Sequence, residues 1–321
     1  MAKKCLIVGL GQIGLGYDVH LDPVNAIYTH ARAFSMHSAF ELLGAVDFSS
    51  QRRELFEHSY GRPAYADTMT ALQSEVADVV TISTPTELHG EILDTVLSHA
   101  KPQAILCEKP LAYDIAQARQ MVEACETAGV QLFVNYMRRS DPGAIEIKRR
   151  IETDALAGPV KGVAWYSKGF FHNGSHFFNL LEYWLGPFVS AKVLSQDRFW
   201  NNADPEPDVQ VVFERGKVVF LAAWEESFSH HTIELLSPSG RLRYEQGGEL
   251  IAWQAPCADS QFSGYKILEA VPQLIGNDMN RYQWNVADHL ANAMSGKVHD
   301  LCTGRQALST LEAMHQIVNQ K

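Results

Sequence analysis

Over the first part of the chain, short apolar runs alternate with stretches whose apolar positions recur every three or four residues. The runs at 5–8, 41–46, 79–83, 104–107 and 131–134 are near-continuous in Val, Ile, Leu and Ala. Strands covered by helices on both faces have that texture, so a doubly wound parallel sheet is predicted. Helices are expected between them at 87–99 and 115–128, the second opened by Asp114 as N-cap and closed by Gly129. After Asn135 the texture changes. A helix around 144–153 leads into strand-like segments at 160–166, 191–194, 209–213, 217–223, 232–236 and 242–244. Arg215-Gly216 and Ser239-Gly240 punctuate them as turns, which predicts an antiparallel meander. A helix over 176–185 stops at Gly186-Pro187, and an amphipathic helix over 305–319 closes the chain. The predicted fold class is α/β, with a doubly wound parallel sheet followed by an α+β domain built on a large, mainly antiparallel open sheet. The boundary is placed between a domain over 1–137 and one over 138–303, with the helix over 304–321 packing back on the first.

A chain of 321 residues can bury two cores of this kind, and its 46% hydrophobic and 20% charged content is ordinary for a folded protein. The charge narrows the partners. With 27 basic and 37 acidic residues the net charge is -10, which repels nucleic-acid backbones and anionic membranes. The basic cluster Lys148-Arg149-Arg150 is broken by Glu146 and Glu152 and reads as a solvated helix face. No apolar stretch approaches the ~20 residues of a membrane-spanning helix. The start, MAKKCLIVGLGQIG, imitates a signal peptide briefly, but Gly9 and Gly11 interrupt it and no cleavage site follows. Cys5, Cys107, Cys125, Cys257 and Cys302 are scattered, with no C-x-x-C pair, so neither a disulfide framework nor a zinc site is indicated. A cytoplasmic protein without nucleic-acid, membrane or metal partners is expected.

The strongest chemical signal is Gly9-Leu10-Gly11-Gln12-Ile13-Gly14, directly after the first apolar run. In a Rossmann domain one such glycine makes the tight turn, one admits a pyrophosphate to the backbone, and the third lets helix and strand pack closely. An acid closing the second strand should then bind the adenosine ribose, and Asp47 stands there. It lies further from the glycines than the roughly 20 residues usual for the fingerprint. An insertion near 17–28, before a helix containing 29–37, accounts for the excess. A carboxylate accepts from both ribose hydroxyls and repels a 2′-phosphate, which favours NAD over NADP. Arg52 and Arg53 stand nearby, and an arginine could pair with that phosphate. Ser83-Thr84-Pro85 follows the third strand and should line the cofactor cleft, with His89 supporting that loop.

Several separated motifs carry a resemblance over essentially the whole chain. They are the glycine fingerprint, Thr84-Pro85-Thr86 with His89, Glu108-Lys109-Pro110, Asn135-Tyr136-Met137-Arg138-Arg139 with Pro142, and Gly174-Ser175-His176. On these the chain resembles the glucose–fructose oxidoreductase / inositol dehydrogenase / rhizopine catabolism (Gfo/Idh/MocA) family. The resemblance implies an NAD(H)-dependent oxidoreductase of a sugar, polyol or nucleotide sugar. It implies a lysine at Lys109 near the nicotinamide ribose and the substrate hydroxyl, a cofactor contact at Glu108, and a histidine at His176 on the substrate domain. The chemistry is coherent. Oxidising an alcohol needs a proton acceptor beside the reacting hydroxyl, a role for His176, and a group that orients and polarises its oxygen, a role for Lys109. Homodimers or homotetramers formed through the second domain's sheet are likewise implied.

The second motif departs from the family pattern. The usual aspartate two residues before the glycine is His172, and the usual acid three residues after the histidine is Asn179. His172 could replace the lost acid, or Lys168 could reach the substrate; Arg138, where the chain leaves the first domain, is a further substrate candidate. A more basic site would suit a substrate carrying carboxylate or phosphate. His172 and His176 have a zinc-ligand spacing, but Asn173-Gly174-Ser175 reads as a turn and N-cap between them. His230-His231 is read as incidental. Two other activities occur among relatives: NAD-assisted glycoside hydrolysis, and non-catalytic NAD-binding regulation.

Overall fold

A computed structural model describes residues 2–320. It divides into one unit of Met1–Ser140 with Asn280–Ser309 and another of Asp141–Met279 with Thr310–Lys321.

In the first unit β1 (Lys3–Val8), β2 (Phe40–Val46), β3 (Ala64–Tyr65), β4 (Val79–Ile82), β5 (Ala104–Cys107) and β6 (Gln131–Val134) run parallel in the order β3-β2-β1-β4-β5-β6. That is the Rossmann order, in which a ligand crevice opens at the carboxyl ends where the order reverses. The strands are near-continuously apolar because both faces are covered: Cys5, Ile7, Val79, Ala104 and Leu106 are wholly buried. The helix Ile115–Ala128 starts at Asp114, whose side chain accepts from Ala116 N, and ends at Gly129 with φ 69°.

Two features differ from the expected layout. The glycine fingerprint opens a single π-helical turn, Gln12–Gly16, while the helix expected after the insertion is His30–Met36, capped by Thr29. Asp18 explains why that insertion folds. It is fully buried, accepts from Tyr28 N, Thr29 N and Thr29 Oγ1, and pairs with Arg32 at 3.6 Å. The second difference concerns residues 280–303, which were assigned to the second domain. Val286, Ala287, Leu290 and Ala293 of helix Tyr282–Met294 join the first unit's core, and Cys302–Thr303 pairs antiparallel with β6. Amphipathic spacing shows that a helix has a buried face but not which core receives it.

The second unit holds β7 (Val160–Tyr166), β8 (Phe188–Ser195), β9 (Phe199–Trp200), β10 (Asp204–Pro205), β11 (Asp208–Phe213), β12 (Gly216–Ala222) and β13 (Thr232–Ser237). It continues with β14 (Gly240–Glu245), β15 (Leu250–Gln254), the hairpin β16 (Pro256–Ala258) and β17 (Lys266–Leu268), and β18 (Gln273–Ile275). Eight of these form one sheet, β18-β15-β14-β13-β7-β12-β11-β8, antiparallel except where β12 runs beside β7. The two-residue turns are Glu214-Arg215 and Pro238-Ser239, so Gly216 and Gly240 open the following strands. Helix Ser175–Leu185 packs an aromatic core of Phe177, Phe178 and Trp184 with Phe213, Phe220 and Tyr244. Ala313, Met314 and Ile317 of the final helix, Gly304–Val318, belong to this core, whereas its first residues, 304–309, fall in the first unit, where the whole helix was expected.

Candidate active site

In the first unit the site begins at the end of β1. Gly9 has φ 107°, and a Cβ there would lie 2.6 Å from the Ser83 backbone. A Cβ on Gly14 would lie 2.1 Å from Gly9 O, so the third glycine is what allows turn and strand to touch. Gly11 is different: a Cβ there would meet nothing within 4 Å. Two glycines are thus required by the protein itself, while the middle one leaves open the face a pyrophosphate would approach. Ser83 Oγ donates to Gly9 O at 2.7 Å and fixes the turn from β4.

Asp47 is 6% exposed at the end of β2. Its Oδ2 accepts from Leu10 N at 2.8 Å and from Arg52 Nη1 at 3.5 Å, and its Oδ1 accepts from Ser49 N at 2.9 Å. Arg53 donates instead to the Asp47 and Phe48 carbonyls.

The loop after β4 is braced by His89, fully buried, with Nε2 3.0 Å from Thr84 O and Nδ1 3.1 Å from Leu111 O. Burial pushes its imidazole below the ordinary histidine range despite the pull of both carbonyls. Thr84 Oγ1 and Asn135 Oδ1 are buried here without a hydrogen-bond partner. Orphaned acceptors and donors at a sheet's carboxyl edge fit a polar ligand group that completes them.

Beside them, Glu108 Oε1 accepts from His30 Nε2 at 2.8 Å and Asn135 Nδ2 at 2.6 Å. Burial alone would raise its carboxyl, but His30 and Asn135, with the Lys109 charge, hold it below the usual glutamate range. Glu108 is therefore an anion next to Lys109 on the chain. Tyr282 faces the same group: burial and the Glu108, Tyr17 and Asp18 charges push its phenol well up, against the pull of Arg138. The sequence offered no sign of His30 or Tyr282, because one follows the insertion and the other arrives from far along the chain.

In the second unit, Lys168 (φ 70°) and Gly169 (φ 81°) leave β7 in the left-handed region and start a π-helical turn, Gly169–Gly174. Two carboxylates from the β9–β10 region hold that turn. Asp204 accepts from Phe171 N at 3.0 Å and His172 N at 2.8 Å, and Glu206 accepts from Gly169 N at 3.0 Å. The His172 ring stacks on Trp200 with centroids 4.8 Å apart. His176 follows as the second residue of helix Ser175–Leu185 and is 8% exposed. The expected N-cap is absent, since Ser175 Oγ donates to His172 O at 3.4 Å instead.

Asn179 was expected among the substrate residues. It is 1% exposed, and its amide donates to Thr310 Oγ1 at 3.0 Å, which in turn donates to Glu182. His231, read as incidental, stacks on Phe177 at 5.5 Å and lies 3.2 Å from Asn173 Nδ2. Ser167 Oγ donates to Glu225 at 2.6 Å and sits 3.5 Å from the same ring nitrogen. Partial burial would raise Glu225, but the Ser167 and Ser229 hydroxyls and the Lys168 and His231 charges hold it below the usual range. Among the described residues, no cluster of three or more His, Cys, Asp or Glu could hold a metal ion.

Glycine turn, the acid closing β2 and the sheet order together fit a dinucleotide-binding domain of the Rossmann class. Residues 3–136 match the GFO_IDH_MocA model, the oxidoreductase family with an NAD-binding Rossmann fold. The inositol 2-dehydrogenase of Rubrobacter xylanophilus is 30% identical over 126 residues, 39% of this chain and 36% of that protein. The scyllo-inositol 2-dehydrogenase (NAD(+)) of Bacillus subtilis is 27% identical over 221 residues, 62% of this chain and 58% of that protein. The chain thus matches about a third to three fifths of the length of these curated relatives. The WlbA dehydrogenase from Bordetella pertussis, solved in complex with NADH and UDP-GlcNAcA, superposes with a TM-score of 0.74 at 18% identity. That superposition covers 98% of this chain and 95% of the other, and it shows a common fold.

Proposed function

We propose that the chain is an NAD-dependent dehydrogenase of a sugar, polyol or nucleotide-sugar hydroxyl. The observation that carries this reading is the Glu108–Lys109 pair at the carboxyl edge of the parallel sheet, with Glu108 kept anionic by His30 and Asn135. Lys109, beside that anion, orients and polarises the reacting oxygen. His176 accepts the proton that the hydroxyl loses, a task suited to imidazole near neutral pH. Gly9, Gly11, Gln12, Ile13 and Gly14 would hold the pyrophosphate, Asp47 the adenosine ribose, and Ser83, Thr84 and Pro85 the nicotinamide end. When bound, NAD supplies the acceptor for the hydrogen taken from the carbinol carbon.

Asp47 supports NAD over NADP, because backbone donors place both its oxygens at the end of β2, where a ribose would lie and a 2′-phosphate would meet an acid. The relatives' substrates, inositols for two and UDP-GlcNAcA in the third complex, support the polyol and nucleotide-sugar class. His172, Lys168 and Arg138 are the candidate substrate contacts. The half-exposed outward residues of the second unit's sheet, Val163, Trp165, Val219 and Leu221, support a homodimer or homotetramer formed through that face. No described helix is long and apolar enough to cross a membrane, and all five cysteines are free, which supports a reducing, cytoplasmic setting.

A non-catalytic NAD-binding regulator is the second reading, favoured by the burial of Asn179 against Thr310 where the family pattern has an acid. NAD-assisted glycoside hydrolysis is the third. Net NADH formation on a panel of inositols, sugars and nucleotide sugars supports the dehydrogenase. Release of aglycone from an aryl glycoside without net NADH would replace it by the hydrolase, and tight NAD binding without either by the regulator.

A further inference from the structure

The second unit contains a cavity of about 430 Å³ that none of the proposed chemistry uses. Its size lies within the roughly 300–1,000 Å³ of small-molecule sites. Two aromatic rings, Phe199 and Trp200, form part of its wall. Phe199 is 54% exposed, so its ring is accessible to a ligand in the cavity. Trp200 backs onto the ring of His172 at 4.8 Å, so a single indole separates the cavity from a candidate substrate residue.

The wall is held rigidly. β9 and β10 pair Trp200 with Asp204 and Phe199 with Pro205, and Asn201 and Asn202 close the hairpin at φ 49° and 57°. Asn is among the few residues that adopt that region at low cost, so the turn is built into the sequence. The same Asp204 anchors the backbone of Phe171 and His172, which fixes the cavity wall and the π-turn as one piece.

The polar part of the wall has a definite sign. Arg198 lies 3.3 Å from Glu206 and 3.4 Å from Glu226, and also stacks over Trp224 at 5.5 Å. Glu225, already engaged by Ser167, adds a third carboxylate. One guanidinium against three carboxylates leaves the cavity acidic. Aromatic faces receive the C–H face of a sugar ring, and carboxylates and a guanidinium accept from and donate to its hydroxyls. A ring bearing a carboxylate or phosphate would meet like charge.

We propose that this cavity is a glycosyl subsite that takes an uncharged pyranose ring and excludes an anionic one. The subsite lies beside His172, through Trp200, and beside Ser167, through Glu225. It runs against the expectation, drawn from Lys168 and His172, of a site suited to anionic sugars. The proposal deepens the dehydrogenase reading by naming a feature of its substrate and rests on that reading only for the word substrate, since binding here is measured without turnover.

The test is tryptophan fluorescence of the full-length, NAD-saturated protein titrated with N-acetylglucosamine and, separately, glucuronate across the millimolar range. Saturable quenching by the neutral sugar, at least about tenfold tighter than by glucuronate, is expected, and about tenfold corresponds to 1.4 kcal/mol. Trp200→Phe should remove the signal while the melting temperature stays within a few degrees, and Glu226→Gln should narrow the gap between the two sugars. No saturable response to the neutral sugar, equal affinity for glucuronate, or quenching that survives Trp200→Phe would overturn the proposal. Absence of NADH formation with every sugar would defeat the dehydrogenase reading and leave this result standing.

Discussion

The backbone N–H of Leu10, inside the glycine turn, donates to Oδ2 of Asp47 at 2.8 Å. The acid that should read the ribose is therefore tied to the turn that should hold the pyrophosphate. Asp47→Asn keeps an acceptor for Leu10 but removes the charge, with Arg52 already 3.5 Å away. NAD affinity should fall about tenfold, the scale of one charge-assisted hydrogen bond, while NADP affinity rises. Calorimetric titration of both cofactors measures this, and an unchanged NAD/NADP ratio would contradict the role given to Asp47.

The glycines should separate folding from binding. Gly11→Ala places its methyl in open space at φ -68°, so the protein should keep its melting temperature and lose NAD affinity. Gly14→Ala drives a methyl to 2.1 Å from Gly9 O and should destabilise by about 1–3 kcal/mol, as overpacked sites do. Thermal melts with and without NAD compare the two. Equal melting temperatures, or full NAD affinity in Gly11→Ala, would show that the turn does not work this way.

His89 gives a pH dependence with a definite sign. Burial lowers its pKa in the fold, so the unfolded chain binds the proton first as pH falls below the ordinary value. Stability should then drop as pH goes from about 6.5 toward the lower folded value. The partly buried His289 and His299 act in the same direction. His89→Gln should be less stable at about pH 8 by about 1–3 kcal/mol, through a buried carbonyl left without a donor, yet lose less on acidification. A melting-temperature series against pH decides it, and parallel curves for the two proteins would remove His89 from the account.

Asn179→Asp restores the residue type of the family pattern but should not restore its chemistry. The Asn179 amide donates to Thr310 Oγ1, whose proton already goes to Glu182, so a carboxylate there would face an oxygen with no proton to give. At 1% exposure the new charge should cost about 3–5 kcal/mol. Denaturant unfolding tests this; wild-type stability with raised turnover would mean that position 179 reaches the substrate.

The parallel sheet was legible because its strands are uninterrupted apolar runs, and the site's first half because glycine spacing and the acid after β2 obey steric rules local to the chain. The insertion was legible as excess length. What its fold depends on, the burial of Asp18 against Arg32, was not. Both π-helical turns escaped notice, since a single turn has no period to detect. β9 and β10 have two residues each and carry no alternation, so the hairpin that presents Trp200 and Asp204 could not be inferred. His231 was passed over because its partners, Phe177, Asn173 and Ser167, lie more than fifty residues earlier and meet it only in the folded sheet.

The most direct measurement is NADH formation by the wild type, Lys109→Met and His176→Ala on one panel of inositols and nucleotide sugars, with NAD affinity determined calorimetrically for each protein. The account predicts a substrate-dependent signal in the wild type that falls by about a hundredfold or more in either variant, the scale of a lost acid–base group. NAD affinity should stay near the wild-type value in His176→Ala. Near-normal turnover in both variants would contradict the assignment of Lys109 and His176 as the groups that handle the reacting hydroxyl.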